Sequence, residues 1–133
     1  MSSGLITVAD IEAVRGSQTI RYKEVQWRSD ANGDVSQTFV LHGQILRVVL
    51  GFQEGQAVPT DQYDVFIADQ FGINILLPYG GNISNTDATE VAPFVGDNTL
   101  NTNYPRYTTG LHTLVVANAG DTKYGKIGIF YKD

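Results

Sequence analysis

Few side chains in this chain could carry a reaction. It has no cysteine, which excludes disulfides, thiolate nucleophiles and thiolate metal sites. Its two histidines, His42 and His112, fall at the ends of predicted strands. A hydrolase would need a nucleophile and an orienting carboxylate gathered around one of them. The chain holds no G-x-S-x-G elbow, no H-E-x-x-H and no Walker sequence. Both histidines are therefore read as structural, with a hydrolase built on either kept as an alternative. Asp30-x-Asn32-Gly33-Asp34 has the alternating oxygen ligands that open a calcium loop, but Phe39 and Leu41 stand where a terminal bidentate Glu is needed. A hairpin turn accounts for the same residues. Asp61, Asp64 and Asp69 would converge only if Asp64 faced solvent beside a loop, so a solvated sheet face is the reading. Tyr79, Tyr104 and Tyr107, set among asparagines, could form a flat carbohydrate platform or a protein interface. The expectation is no enzyme, no metal and no cofactor.

What must position these residues is a set of strands. With 133 residues the chain suits one domain large enough to bury a core. Nine basic and 14 acidic residues give a net charge of −5, which argues against a general nucleic-acid binder. No apolar run approaches the length of a membrane span, and the first residues lack the basic start of a secretory signal. The stretch 59–84 organises the pattern. Tyr63, Val65 and Ile67 alternate, Asp69-Gln70-Phe71-Gly72 makes a turn, and Ile73, Ile75 and Leu77 alternate again, predicting a β-hairpin. Residues 19–29 alternate with a phase shift between Tyr22 and Val25 that predicts a bulge or a bend, and Asn32-Gly33 predicts a hairpin. Trp27 is expected in the core, buried against the Ile73–Leu77 strand. Residues 78–110 have no clean period and read as a long loop. Residues 111–116 and 122–131 read as strands, the second with glycines that suggest a close backbone approach or a bulge. Seven or eight strands at this spacing predict an all-β, antiparallel, jelly-roll-like β-sandwich over 19–133. Residues 1–18 form the one plausible helical piece and read as an N-terminal arm, in which Leu5, Ile6, Val8 and Ile11 dock on a neighbouring subunit.

These segments also carry a family resemblance. The runs P-T-D-x-Y-D-V-x-I-x-D-x-x-G-I-N-I-L, G-G-N-I-S-N-T and L-x-V-x-N-A-G-D-x-K-x-G-x-I-x-I-F-Y resemble a group of small proteins encoded among tailed-phage structural genes. That group carries D-Y-D-V, D-x-x-G-x-D-L-L, G-G-x-G-A-N-R-S and V-x-N-A-G-x-x-x-x-G-x-V-x-x-Y. The anchors span residues 25–131; Asn74 replaces the usual Asp, and Pro78-Tyr79 interrupts the glycine run. The resemblance implies a structural protein of the virion, a capsid decoration or cement protein on the outer surface of the phage head, made in the host cytoplasm. It implies the major capsid protein as partner and a homo-oligomer, with no membrane and no nucleic acid bound. Such a protein needs a β core, an arm and an apolar contact patch. The interface candidates are Leu5, Ile6, Val8, Ile11, Tyr79, Phe94, Tyr104 and Tyr107. The alternatives are a carbohydrate-binding or host-recognition module and a small tail or head–tail connector subunit.

Overall fold

The computed structural model describes residues 4–15, 18–97 and 102–132. They form ten strands, all paired antiparallel, with no α-helix among them. The strands are β1 (Leu5–Arg15), β2 (Gln18–Arg28), β3 (Val35–Val40), β4 (Gly43–Gly51), β5 (Asp64–Ala68), β6 (Thr89–Val91), β7 (Phe94–Asp97), β8 (Thr102–Thr108), β9 (Leu111–Ala117) and β10 (Tyr124–Lys132). The larger sheet runs β1-β2-β10-β4-β8-β7, with β6 also paired to β4; the smaller runs β3-β9-β5. From β2 to β5, and again from β8 to β10, each step along the chain crosses from one sheet to the other.

Alternation explains the core. On β2 the inward residues are Lys23, Val25 and Trp27; on β10 they are Ile127, Ile129 and Tyr131; on β9 they are His112, Leu114 and Val116. Strands of both sheets feed one apolar cluster. Trp27 is buried as expected, and its neighbours are Tyr63, with ring centroids 5.9 Å apart, and Gly125. A Cβ on Gly125 would come within 2.1 Å of the indole, so this strand position requires glycine. Burial also pushes the Tyr63 hydroxyl up to about 12, so it stays neutral near pH 7.

Several expectations are corrected. Residues 5–15 are not a helix or a detached arm but an edge strand, paired with β2 from Leu5↔Arg28 to Arg15↔Gln18. The period that suggested a helix is weak, and its β-branched residues suit a pleated strand. β2 has no bulge: its register is unbroken, and the phase shift reflects Lys23 in a core position, with Nζ donating to the Val40 carbonyl at 2.6 Å. A register shift falls instead in β10, between Phe130 and Tyr131. Asn32-Gly33 does not join paired strands. Asp30 accepts from the Asn32 and Asp34 amides, Gly33 takes φ 84°, and the turn carries the chain from one sheet to the other.

The predicted strand 73–77 is also absent. Ile75 and Leu76 are adjacent and both fully buried, which strict alternation forbids, and a 3₁₀ turn follows at Leu77–Gly80. Asn74 Oδ1 accepts from the Ile67 amide at 3.2 Å and from the Leu76 amide at 3.1 Å, replacing ladder pairing with a side-chain cap. The expected loop 78–110 contains β6, β7 and β8. β6 and the end of β8 pair the same side of β4, and β7 and β8 form a hairpin between them.

Candidate functional site

Both histidines brace the β8–β9 turn, His42 from the β3–β4 connection and His112 from β9. His112 is fully buried. Its Nδ1 lies 2.9 Å from the Gly110 carbonyl, which can only accept, so Nδ1 carries the proton. Nε2 then accepts from the Thr108 hydroxyl at 2.5 Å. Desolvation lowers the pKa of His112, outweighing the opposing pull of the Gly110 bond and Asp69. His42, on the exposed side, accepts the Gly110 amide at Nδ1 (3.2 Å) and meets Thr109 Oγ1 at 2.6 Å. Each ring is used in fixing the turn.

The three carboxylates do not converge. Asp61 accepts the Asn85 amide, and Asp64 accepts the Asn82 amide and the Asn118 side chain. Asp69 accepts the amides of Phe71 and Ile73. Each pins a different turn by satisfying backbone donors. No group of three or more His, Asp or Glu side chains suited to a metal occurs among the described residues.

Of the interface candidates, Ile6 is partly buried against the core, while Val8, Tyr79 and Tyr107 are exposed. The side chains of Leu5, Ile11, Phe94 and Tyr104 lie outside the described residues. Tyr79 and Tyr107 do not share a platform. Tyr79 lines a groove with β6, and Tyr107 lines another with Phe71 and Thr109.

Two structural features present surface to a partner. The first is the outer edge of β1, which has no strand neighbour among the described residues. The Ile6 amide donates to Gln37 Oε1 at 3.3 Å, so it points away from β2. In an antiparallel strand this direction repeats every second residue, so the Val8 amide also faces outward. Gln37 caps the start of this edge, bonding the Gly4 carbonyl as well; the edge lies open from Val8 onward.

The second is the outer face of the β3-β9-β5 sheet, which the sequence reading missed. Register aligns its residues in rows: Ser36–Val115–Phe66, Thr38–Thr113–Ala68 and Val40–Leu111. None of these side chains is charged. The contrast with the larger sheet is sharp. There Arg47 pairs Glu90 at 2.8 Å and lies 5.0 Å from the Phe130 ring centroid, and Lys126 sits 3.8 Å from Glu24. Phe130 packs on Tyr22 at 4.8 Å, whose hydroxyl donates to Glu24. That outer face is charged and internally paired; the smaller sheet's mixes hydroxyl and apolar side chains without a charge. An alternating apolar–Thr pattern on β3 and β9 was the available signal, but reading it as surface required knowing which parity faces the core.

In comparisons with family models, curated proteins and solved structures, nothing matches the chain.

Proposed function

We propose that the protein is a non-enzymatic structural component of a tailed-phage virion, a decoration or cement protein bound to the assembled head shell through the major capsid protein. The sequence resemblance supplies the particle; one observation, the open edge of β1, supplies the means of attachment. Unpaired main-chain groups along an edge are a ready template for another strand, and strand addition gives affinity without a pocket. The β1–β2 hairpin also runs past β10: pairing to β10 ends at Arg21, while β1–β2 pairing continues to Gln18. An overhanging hairpin can reach a neighbour without disturbing the core. In this reading the protein sits on the outer surface of the head, is made in the host cytoplasm and needs no cofactor.

The architecture that fits is a jelly-roll sandwich, in which eight strands fill two sheets through Greek-key connections. In support, β2-β10-β4-β8 and β3-β9-β5 supply seven of those places. The eighth falls beside β5, where Ala68↔Asn74 and Tyr63↔Ile83 are isolated bridges.

The test is binding to purified heads that lack the protein, read by co-sedimentation and cryo-electron microscopy. Density at symmetry-related positions on the head is expected. Val8→Pro removes an outward amide without touching the β1–β2 ladder, so it should weaken binding about tenfold while the melting temperature holds, a hydrogen bond being worth about 1 kcal/mol before the ring's clash with an incoming strand. Density confined to the tail or neck would replace the decoration role with a connector role, and no binding to any part of the particle would end the virion reading.

A further inference from the structure

We propose that the outer face of the β3-β9-β5 sheet is a self-association surface on which a second copy of this chain packs face to face about a two-fold axis. This does not rest on the virion reading, because it concerns the isolated chain.

The argument begins with where exposed apolar side chains fall. Ten large ones are exposed among the described residues. Val40, Phe66 and Leu111 stand on this face, and Phe71, Ile73 and Tyr107 stand at its rim, on the turn after β5 and at the end of β8. Three of ten on this face and three more at its rim is a concentration, whereas isolated surface apolars would be scattered. Phe71 and Tyr107 wall a groove of about 210 Å³ at this rim, giving a knob from the facing copy somewhere to seat.

Charge decides the occupant. The chain carries −5 overall, so two copies repel over most of their surfaces. The three rows of this face have no charge to oppose its own image. The one carboxylate with the same parity, Asp64, lies at the corner of the sheet with both oxygens already accepting hydrogen bonds from Asn82 and Asn118. The rim groove adds Asp69, whose Oδ1 accepts the Phe71 and Ile73 amides; within the three rows a charged partner would find nothing to pair with, and an identical uncharged face is self-complementary.

A standard interface buries about 800 Å² per partner, and the chain exposes 7408 Å², so such a dimer would cover roughly a tenth of each copy. At the edges of this sheet Gln37 ties β3 to β1, Lys23 takes the Val40 carbonyl, and Asn74 accepts the Ile67 amide of β5, so both edges are partly engaged.

Sedimentation velocity of the full chain tests this. A monomer–dimer equilibrium in the micromolar range is expected, and added salt should not weaken it, since no ion pair holds it. Leu111→Lys and Phe66→Lys, each at an exposed position, should weaken association at least tenfold with unchanged circular dichroism and melting. Val58→Lys, an exposed apolar site elsewhere, should leave it intact. Should either lysine variant misfold, Phe66→Ser serves as the milder probe. A wild type that stays monomeric through this range, or a dimer that survives the face substitutions, overturns the proposal; head binding by a monomeric wild type would leave the virion reading standing without it.

Discussion

Burial holds the His112 imidazole neutral, and this sets a pH dependence at the level of a single residue. Its folded-state pKa lies below the ordinary value of 6.5, chiefly from desolvation. Above 6.5 both folded and unfolded chains carry neutral imidazole, and the contribution of His112 is fully present. As pH falls through 6.5 the unfolded chain takes up its proton first, so stability drops; the loss is complete below the folded-state value. The slope from one such group is at most about 1.4 kcal/mol per pH unit. Urea unfolding from neutral to mildly acidic pH should show the decline, and His112→Gln should flatten it; an equal slope in the variant would place the dependence elsewhere. The sequence read this residue as structural but gave no sign that it is fully buried, because Thr108 and Gly110, which satisfy it, belong to a turn whose shape is a tertiary outcome. Lys23 escaped for a similar reason. A lysine at an inward parity looks like a phase error until the Val40 carbonyl it meets, on the opposite sheet, is known.

At the scale of elements, the strands with strong alternation were legible and the ones that depend on a neighbour were not. β5, β9 and β10 follow the sequence reading; β1 and the segment after β5 do not. β1 gains its form from pairing with β2, which no local propensity reveals. The segment 73–77 alternates as a strand should, yet Asn74 ends the pairing by taking the Ile67 and Leu76 amides on one oxygen. Ile75 and Leu76 then turn inward together, each burial worth about 1.5–3 kcal/mol. This gives Asn74 a role that its chemistry makes testable. Asn74→Ala leaves the buried Ile67 amide without its acceptor and loosens the turn, and should cost about 1–3 kcal/mol in urea unfolding. Asn74→Asp keeps the accepting oxygen and should recover most of that loss at neutral pH. Equal losses in both variants would mean that the side-chain amide, not the accepting oxygen, holds the turn.

For the whole molecule, the decisive strand is β10. It lies between β2 and β4, and its partners are distant in sequence: Tyr124 pairs Arg28 and Lys126 pairs Gly51. The all-β class could be read from turn spacing, but the count of seven or eight strands fell short of the ten described, and this closure could not be read, since pairing across such separations leaves no local trace. Without β10, β2 and β4 have no ladder between them, and Ile127, Ile129 and Tyr131 leave the core. Those three burials alone are worth about 1.5–3 kcal/mol each, against a total stability of about 5–15 kcal/mol for a domain. The Trp27 indole would also lose the glycine surface it lies on. A chain truncated after Lys123 should therefore melt without a cooperative transition, and its single tryptophan should emit as a solvated indole. Non-local closure of this kind also predicts refolding in milliseconds to seconds, not microseconds. A truncated chain with a native-like tryptophan signal and a sharp melt would show that β1, β2 and the smaller sheet form a self-sufficient unit, and β10 would then be an addition to the core instead of its keystone.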